Sequence, residues 1–227
     1  MGKIITILIY SSILLSVDFV DKCGFGQYET RVNRPDRDTY IDSPTGHFRV
    51  HYNNSGQHSA TTSYAEQVGE AADYSRNILV NVMGYLPEID DADGIFDIYL
   101  YGFSNGNYGY NAADCEGYYI SSGEYYCTGD DIAGASFIVI DNDYNYSCSD
   151  IPGLANLCVN ENSGTDVMKV TIAHEFYHAI QRAYVNPKYL EELDDSYFME
   201  LNSTWIEDVV YPDINDYLNF AYAYLRT

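Results

Sequence analysis

The sequence predicts an α+β fold: a small mixed sheet, a backing helix, and a second helix carrying His174-Glu175-Phe176-Tyr177-His178. Three observations lead there. Residues 47–52 and 95–101 alternate apolar and polar side chains, as half-buried strands do. Residues 135–140, Ala-Ser-Phe-Ile-Val-Ile, form the near-continuous apolar run of an interior strand. Residues 60–83 and 166–184 repeat apolar side chains at helical spacing.

In chain order, residues 23–43 are polar and aperiodic and read as a lead-in. The strand at 47–52 follows, then a turn or loop over 53–59. The backing helix spans 60–83, with Tyr64, Val68, Ala71, Ala72, Ile78, Leu79 and Val82 on one stripe, and Gly84 ends it. Asp93-Gly94 is turn chemistry leading into the strand at 95–101. Residues 105–134, rich in Gly, Tyr, Asn and Asp, read as loops with short edge strands. After the strand at 135–140 comes a loop over 141–163. Ser163 or Thr165 is the expected N-cap of the helix at 166–184, and Asn186-Pro187 stops that helix. A helix over 196–210 ends at Tyr211-Pro212. A further helix begins at 213, and its apolar face (Tyr217, Leu218, Ala221, Tyr222, Leu225) runs to the last residue, so the chain reads as truncated at its C-terminus. No repeat or linker divides it: residues 23–227 form one expected domain, behind a signal peptide and processing region at 1–22.

Composition bounds the function. In 227 residues, 34 Asp and Glu face 11 Lys and Arg, a net charge of −23. Such a surface repels nucleic acid and anionic lipid, which sets both aside as partners. Lys3 followed by an uncharged Ile- and Leu-rich run over 4–17 has the form of a signal peptide and is short for a membrane span. Export as a secreted protein, with no stable membrane insertion after cleavage, is the expectation. Cysteine usage agrees: the simplest oxidised pairing is Cys115 with Cys127 and Cys148 with Cys158, leaving Cys23 single. Tyrosine is abundant, at 25 residues, and packing on edge strands and loops accounts for it.

The chemistry lies in the helix at 166–184. His174 and His178, four residues apart, project from one helix face and can reach one metal ion. Glu175 is spaced to serve as a general base toward a water on that ion. No His follows His178, and Gln181 and Tyr184 stand where a three-histidine pattern needs Gly and His. Unless His47, His51 or His58 swings in, the third ligand is a carboxylate. The downstream candidates are Glu191, Glu192, Asp194, Asp195, Glu200, Glu207 and Asp208. Glu200 leads because it sits on the next rigid helix. Glu207, on the same face, is the alternative ligand or an acceptor for a histidine N–H. Asp141-Asn142-Asp143, with Asp130 and Asp131, offers a weaker possibility of Ca²⁺ binding, against the simpler reading of a solvated turn.

The motif helix followed by Met199-Glu200-Leu201-Asn202-Ser203-Thr204-Trp205-Ile206-Glu207 resembles the gluzincin clan of zinc metallopeptidases. There the next helix carries a stretch of the type N-E-G-x-A-x-W-x-E, whose first Glu is a metal ligand. The run 173–181 is also similar to a set of secreted bacterial metalloproteases; the likeness covers roughly 135–212 and weakens upstream. The resemblance implies a zincin-like domain, Zn²⁺ held by His174, His178 and Glu200, Glu175 as the catalytic base, a protein or peptide substrate, and Trp205 as a packing residue. Leu201 and Ser203 depart from the clan's Gly and Ala. No Tyr or His matches the residue that steadies the oxyanion in those enzymes. The rival readings are an inactive zinc-binding relative and a non-enzymatic, Tyr-rich secreted binding module.

Overall fold

The computed structural model describes residues 33–89, 93–103, 107–114, 118–121, 124–127, 134–145, 162, 164–184 and 196–220. The expected signal peptide and Cys23, Cys115, Cys148 and Cys158, with both expected disulfides, lie outside them, as do most of the loop at 141–163 and the last seven residues. Among the described residues no helix is long and apolar enough to cross a membrane.

The chain is α+β. In order it forms β1 (Thr39–Asp42), β2 (Phe48–Tyr52), α1 (Thr62–Arg76) running into a π-helical stretch (Asn77–Val82), β3 (Phe96–Tyr101), β4 (Gly109–Ala113), β5 (Tyr118–Ser121), β6 (Glu124–Cys127), β7 (Ser136–Asp141), α2 (Gly164–Tyr184) and α3 (Ser196–Val210). Five strands make one mixed sheet ordered β1-β2-β3-β7-β4, and β5 pairs with β6 as a separate hairpin. β2, β3 and β7 run parallel; β1 and β4 close the edges antiparallel.

The parallel centre explains the sequence of β3 and β7. Both faces of these strands are covered, so Phe96–Leu100 and Ser136–Asp141 are buried throughout and no simple alternation survives. One face (Phe48, Val50, Phe96, Ile98, Leu100, Ile138, Ile140) packs against α1 and α2. The other carries Tyr99, Tyr110, Ala112, Phe137 and Val139. There the segment before β1 crosses the sheet. Arg34 pairs with Asp97, and forks onto Asp114 through Nε (3.1 Å) and Nη2 (2.7 Å). Asp97 also accepts from His51 Nε2 at 2.7 Å.

Several elements differ from expectation. The lead-in holds β1, whose Thr-Tyr-Ile-Asp only half buries at a sheet edge and so leaves a faint signal. β4, by contrast, is one of the short edge strands expected within 105–134, and it pairs with β7 although Gly-Tyr-Asn-Ala-Ala has little strand propensity. Its Gly109 permits a close approach to β7 and α2: a Cβ there would sit 2.8 Å from Val139 O and 3.1 Å from Thr171 Cγ2. Thr61 caps α1 through its Oγ1, which accepts from Tyr64 N–H at 3.1 Å. The stripe expected along 60–83 fails at Val82, which is 69 % exposed. The π-helical turn is wider than an α-turn, so it shifts the phase of every side chain after it. α2 starts at Gly164, which places Thr165 inside the helix rather than at its cap.

α2 is buried along most of its length because α1, the sheet and α3 surround it. Phe176 ties it to the sheet, meeting Phe48 edge-on at 5.3 Å and Phe96 at 6.0 Å, with no exposed surface. Phe176→Ala is expected to cost about 3–5 kcal/mol, a large share of a domain's total stability, read as a lower denaturant midpoint at unchanged slope.

Candidate metal centre

The helical spacing of His174 and His178 puts both imidazoles on the side of α2 that α3 covers, with ring centroids 4.9 Å apart. α3 brings up Glu200. Its Oε2 lies 3.1 Å from His174 Nε2, and its Oε1 lies 3.4 Å from His178 Nε2. The donor atoms of the three residues all fall within 4.8 Å of one another, so the group could hold a metal ion.

The surroundings orient these side chains. Glu207, one α3 face-repeat beyond Glu200 and fully buried, accepts from His174 Nδ1 at 2.7 Å. Gln181 Oε1 is 2.8 Å from His178 Nδ1, and Gln181 Nε2 donates to Met199 O at 3.2 Å. Ser203 Oγ is 3.3 Å from the same His178 Nδ1. Each imidazole thus has an oxygen partner at Nδ1 and turns Nε2 toward Glu200. Such support fixes ring orientation and ligand basicity in metal sites.

The residues fit a divalent transition metal on an observation independent of sequence. Glu200 Oε1 is buried and makes no hydrogen bond: its contact with His178 lacks the alignment of one. A buried oxygen without a partner is costly, and a cation between it and the two Nε2 atoms would satisfy it. Two imidazole nitrogens and a carboxylate oxygen suit such ions.

Electrostatics follow from burial. Burial opposes a charge on His174, yet the carboxylates of Glu200 and Glu207 at its two nitrogens outweigh it and push its pKa up to about 10. Burial, reinforced by His174, pushes His178 down. Burial also opposes ionisation of Glu200, but His178 and His174 hold its carboxyl far below the usual range. Without metal, the raised His174 stabilises the fold fully below its ordinary value of 6.5 and loses that effect as pH climbs toward about 10. The lowered Glu200 stabilises above its ordinary value of 4.5 and loses that effect as pH falls further.

The other expected residues sort clearly. Glu175 is 1 % exposed and lies outside the three-residue group. His47 is exposed on a turn. His51 points across the sheet to Asp97, on the face away from α2. His58 accepts from Gly102 N–H at 3.0 Å and stacks on Tyr101. None of these three joins Glu200. Glu191, Glu192, Asp194 and Asp195 lie outside the described residues. Trp205 does not pack in the core: with Phe198 and Leu201 it lies on the outward side of α3, 51 % exposed. Asp141 accepts from the amides of Asp143, Tyr144 and Phe103, so its carboxylate builds the turn after β7. Asp130 and Asp131, the other half of the Ca²⁺ possibility, lie outside the described residues. The sequence shows Gln181 only as a departure from a three-histidine pattern; the signal of its contact with His178 is a carboxamide about one helical turn after the second His.

No protein-family model, curated protein or solved structure matches this chain.

Because a metal needs the unprotonated imidazole, metal uptake must displace the proton that His174 holds below pH 10. Binding of a divalent transition metal to the metal-free protein at pH 7.5 is expected to release about one proton, measured calorimetrically in buffers of different ionisation enthalpy, and affinity should rise about tenfold per pH unit from 7 to 9.

Proposed function

We propose that the chain is a secreted zinc-dependent peptidase of zincin-like architecture, with His174, His178 and Glu200 as zinc ligands and Glu175 as the base. The observation that carries the reading is the convergence of two Nε2 atoms and a hydrogen-bond-free carboxylate oxygen at a buried helix–helix contact. Two His and one Glu are a ligand set of catalytic zinc, which keeps a coordination position open. The order of elements supports it: a mixed sheet, a backing helix, the motif helix and the ligand helix are what the resemblance to gluzincins leads one to expect. The run over 4–17 supports export, and an exported hydrolase with no basic surface meets proteins or peptides rather than nucleic acid.

Zinc supplies Lewis acidity, which polarises a carbonyl and makes hydroxide available near neutral pH. The protein's own residues do the remainder. His174, His178 and Glu200 would hold the ion, and Glu207 and Gln181 keep the two rings in place at their Nδ1 atoms. The Glu175 carboxylate takes one proton from the attacking water as the oxygen–carbon bond forms. It then gives that proton to the amide nitrogen as the carbon–nitrogen bond breaks, so an acid and an amine leave and Glu175 is again ionised. Burial of Glu175 and both histidines limits competing water.

Glu175→Gln separates the base from the ligands. It is expected to keep one zinc per chain by elemental analysis while peptide hydrolysis falls by about 10²–10⁴. Undiminished turnover would remove Glu175 from the mechanism. His178→Ala is expected to lose both the zinc and the activity. A wild-type protein that holds stoichiometric zinc yet cleaves no member of a broad peptide library would be a zinc-binding, inactive chain.

A further inference from the structure

We infer that Gln181 is a positioning residue that sets the tautomer of His178 and locks it to the helix bearing Glu200. The inference rests on the zinc reading above and names a device inside that site.

The argument starts at Met199. Its backbone oxygen can only accept, so the group 3.2 Å away must be the Gln181 amide nitrogen. That leaves Oε1 as the atom 2.8 Å from His178 Nδ1. A carboxamide oxygen accepts only, so Nδ1 must carry the proton. In the neutral ring Nε2 then carries a lone pair in place of a proton, and Nε2 is the atom facing Glu200 at 3.4 Å. Ser203 cannot make this choice, because a hydroxyl at 3.3 Å either donates or accepts. The carbonyl that fixes the amide belongs to the residue immediately before Glu200. One side chain thereby ties the lone pair on α2 to the placement of the carboxylate on α3.

Glutamine suits the position better than its acid. Glu175 and Glu207 are already buried and Glu200 is mostly enclosed, and a fourth carboxylate would add repulsion. A carboxylate would also lose the donor to Met199 O. His174 is treated differently: its partner, Glu207, comes from the opposite helix and carries charge.

The test uses the full chain and two variants, Gln181→Met and Gln181→Glu. Two readouts are taken: ¹⁵N–¹H imidazole correlations of the metal-free protein, and Zn²⁺ affinity by chelator competition with the Co²⁺ absorption spectrum alongside. The wild type should show His178 with its proton on Nδ1. Gln181→Met should give mixed tautomers, bind Zn²⁺ about 10–100-fold more weakly, and shift the Co²⁺ bands. Gln181→Glu, which still accepts, should keep the Nδ1 proton. Wild-type tautomer and affinity in Gln181→Met would overturn the inference. If that variant does not fold, an Nε2 proton on His178 in Gln181→Glu overturns it instead. A wild type that binds no zinc defeats the peptidase reading, while the tautomer measurement still decides the role of Gln181.

Discussion

Charge buried between α2 and α3 is the constraint on which this structure turns. Glu200 is mostly enclosed and Glu207 wholly so, and both face the imidazole of His174. Carboxylates in such a place are tolerable only with partners, and removing one partner strands the others. The two helices must therefore meet in one register, with Glu200 and Glu207 either side of His174 and with Ser203 and Gln181 at His178. Apolar packing alone would permit small slides; the polar set does not.

The rest of the fold holds α2 still against that contact. Phe48 and Phe96 grip Phe176, one position past Glu175, and β4 draws close to α2 where Gly109 has no side chain. On its far end Arg182 is buried and donates to Asn111 of β4 through Nε at 2.6 Å. The motif helix is thus fastened by aromatic contacts at its middle and by a charged hydrogen bond near its end. A metal ion needs ligands placed to a fraction of an ångström, and rigid elements deliver this better than loops.

What the sequence made legible follows the range of the interactions. The interior strand β7 and the helices with long apolar stripes were visible because their local patterning reports burial directly; β3 was visible as a strand, but its alternation understated a burial that neighbours on both faces impose. That His174 and His178 share a face needed only the helical repeat. Narrowing the third partner to a carboxylate needed only a census of histidines. The choice between Glu200 and Glu207 was not decidable from spacing, since the two are separated by seven residues and share a helix face; the docking angle of α3 sends one to the Nε2 side and the other to Nδ1. The role of Gln181 was invisible for the same reason, as half of its meaning lies in a carbonyl eighteen positions away. β1 was missed because a half-buried edge strand carries little pattern, whereas β4 falls where short edge strands were expected, within 105–134. Val82 was misassigned because a π-turn breaks the periodicity that was extrapolated through it. Trp205 was misplaced by likeness to other proteins, where physical reading of its neighbours Phe198 and Leu201 would have grouped the three on one side of α3.

The crossing of Arg34 over the back of the sheet has a consequence for the helix on the other side. Its guanidinium neutralises Asp97 and Asp114, both nearly closed off from solvent, and lies over the ring of Phe137. Without Arg34, Asp114 would lose its guanidinium and Asp97 would keep only His51 among the described residues, so the sheet that backs α2 would be undermined from its opposite side. The footing of the helix that carries His174 and His178 is therefore set in part by charges paired on the sheet face remote from them.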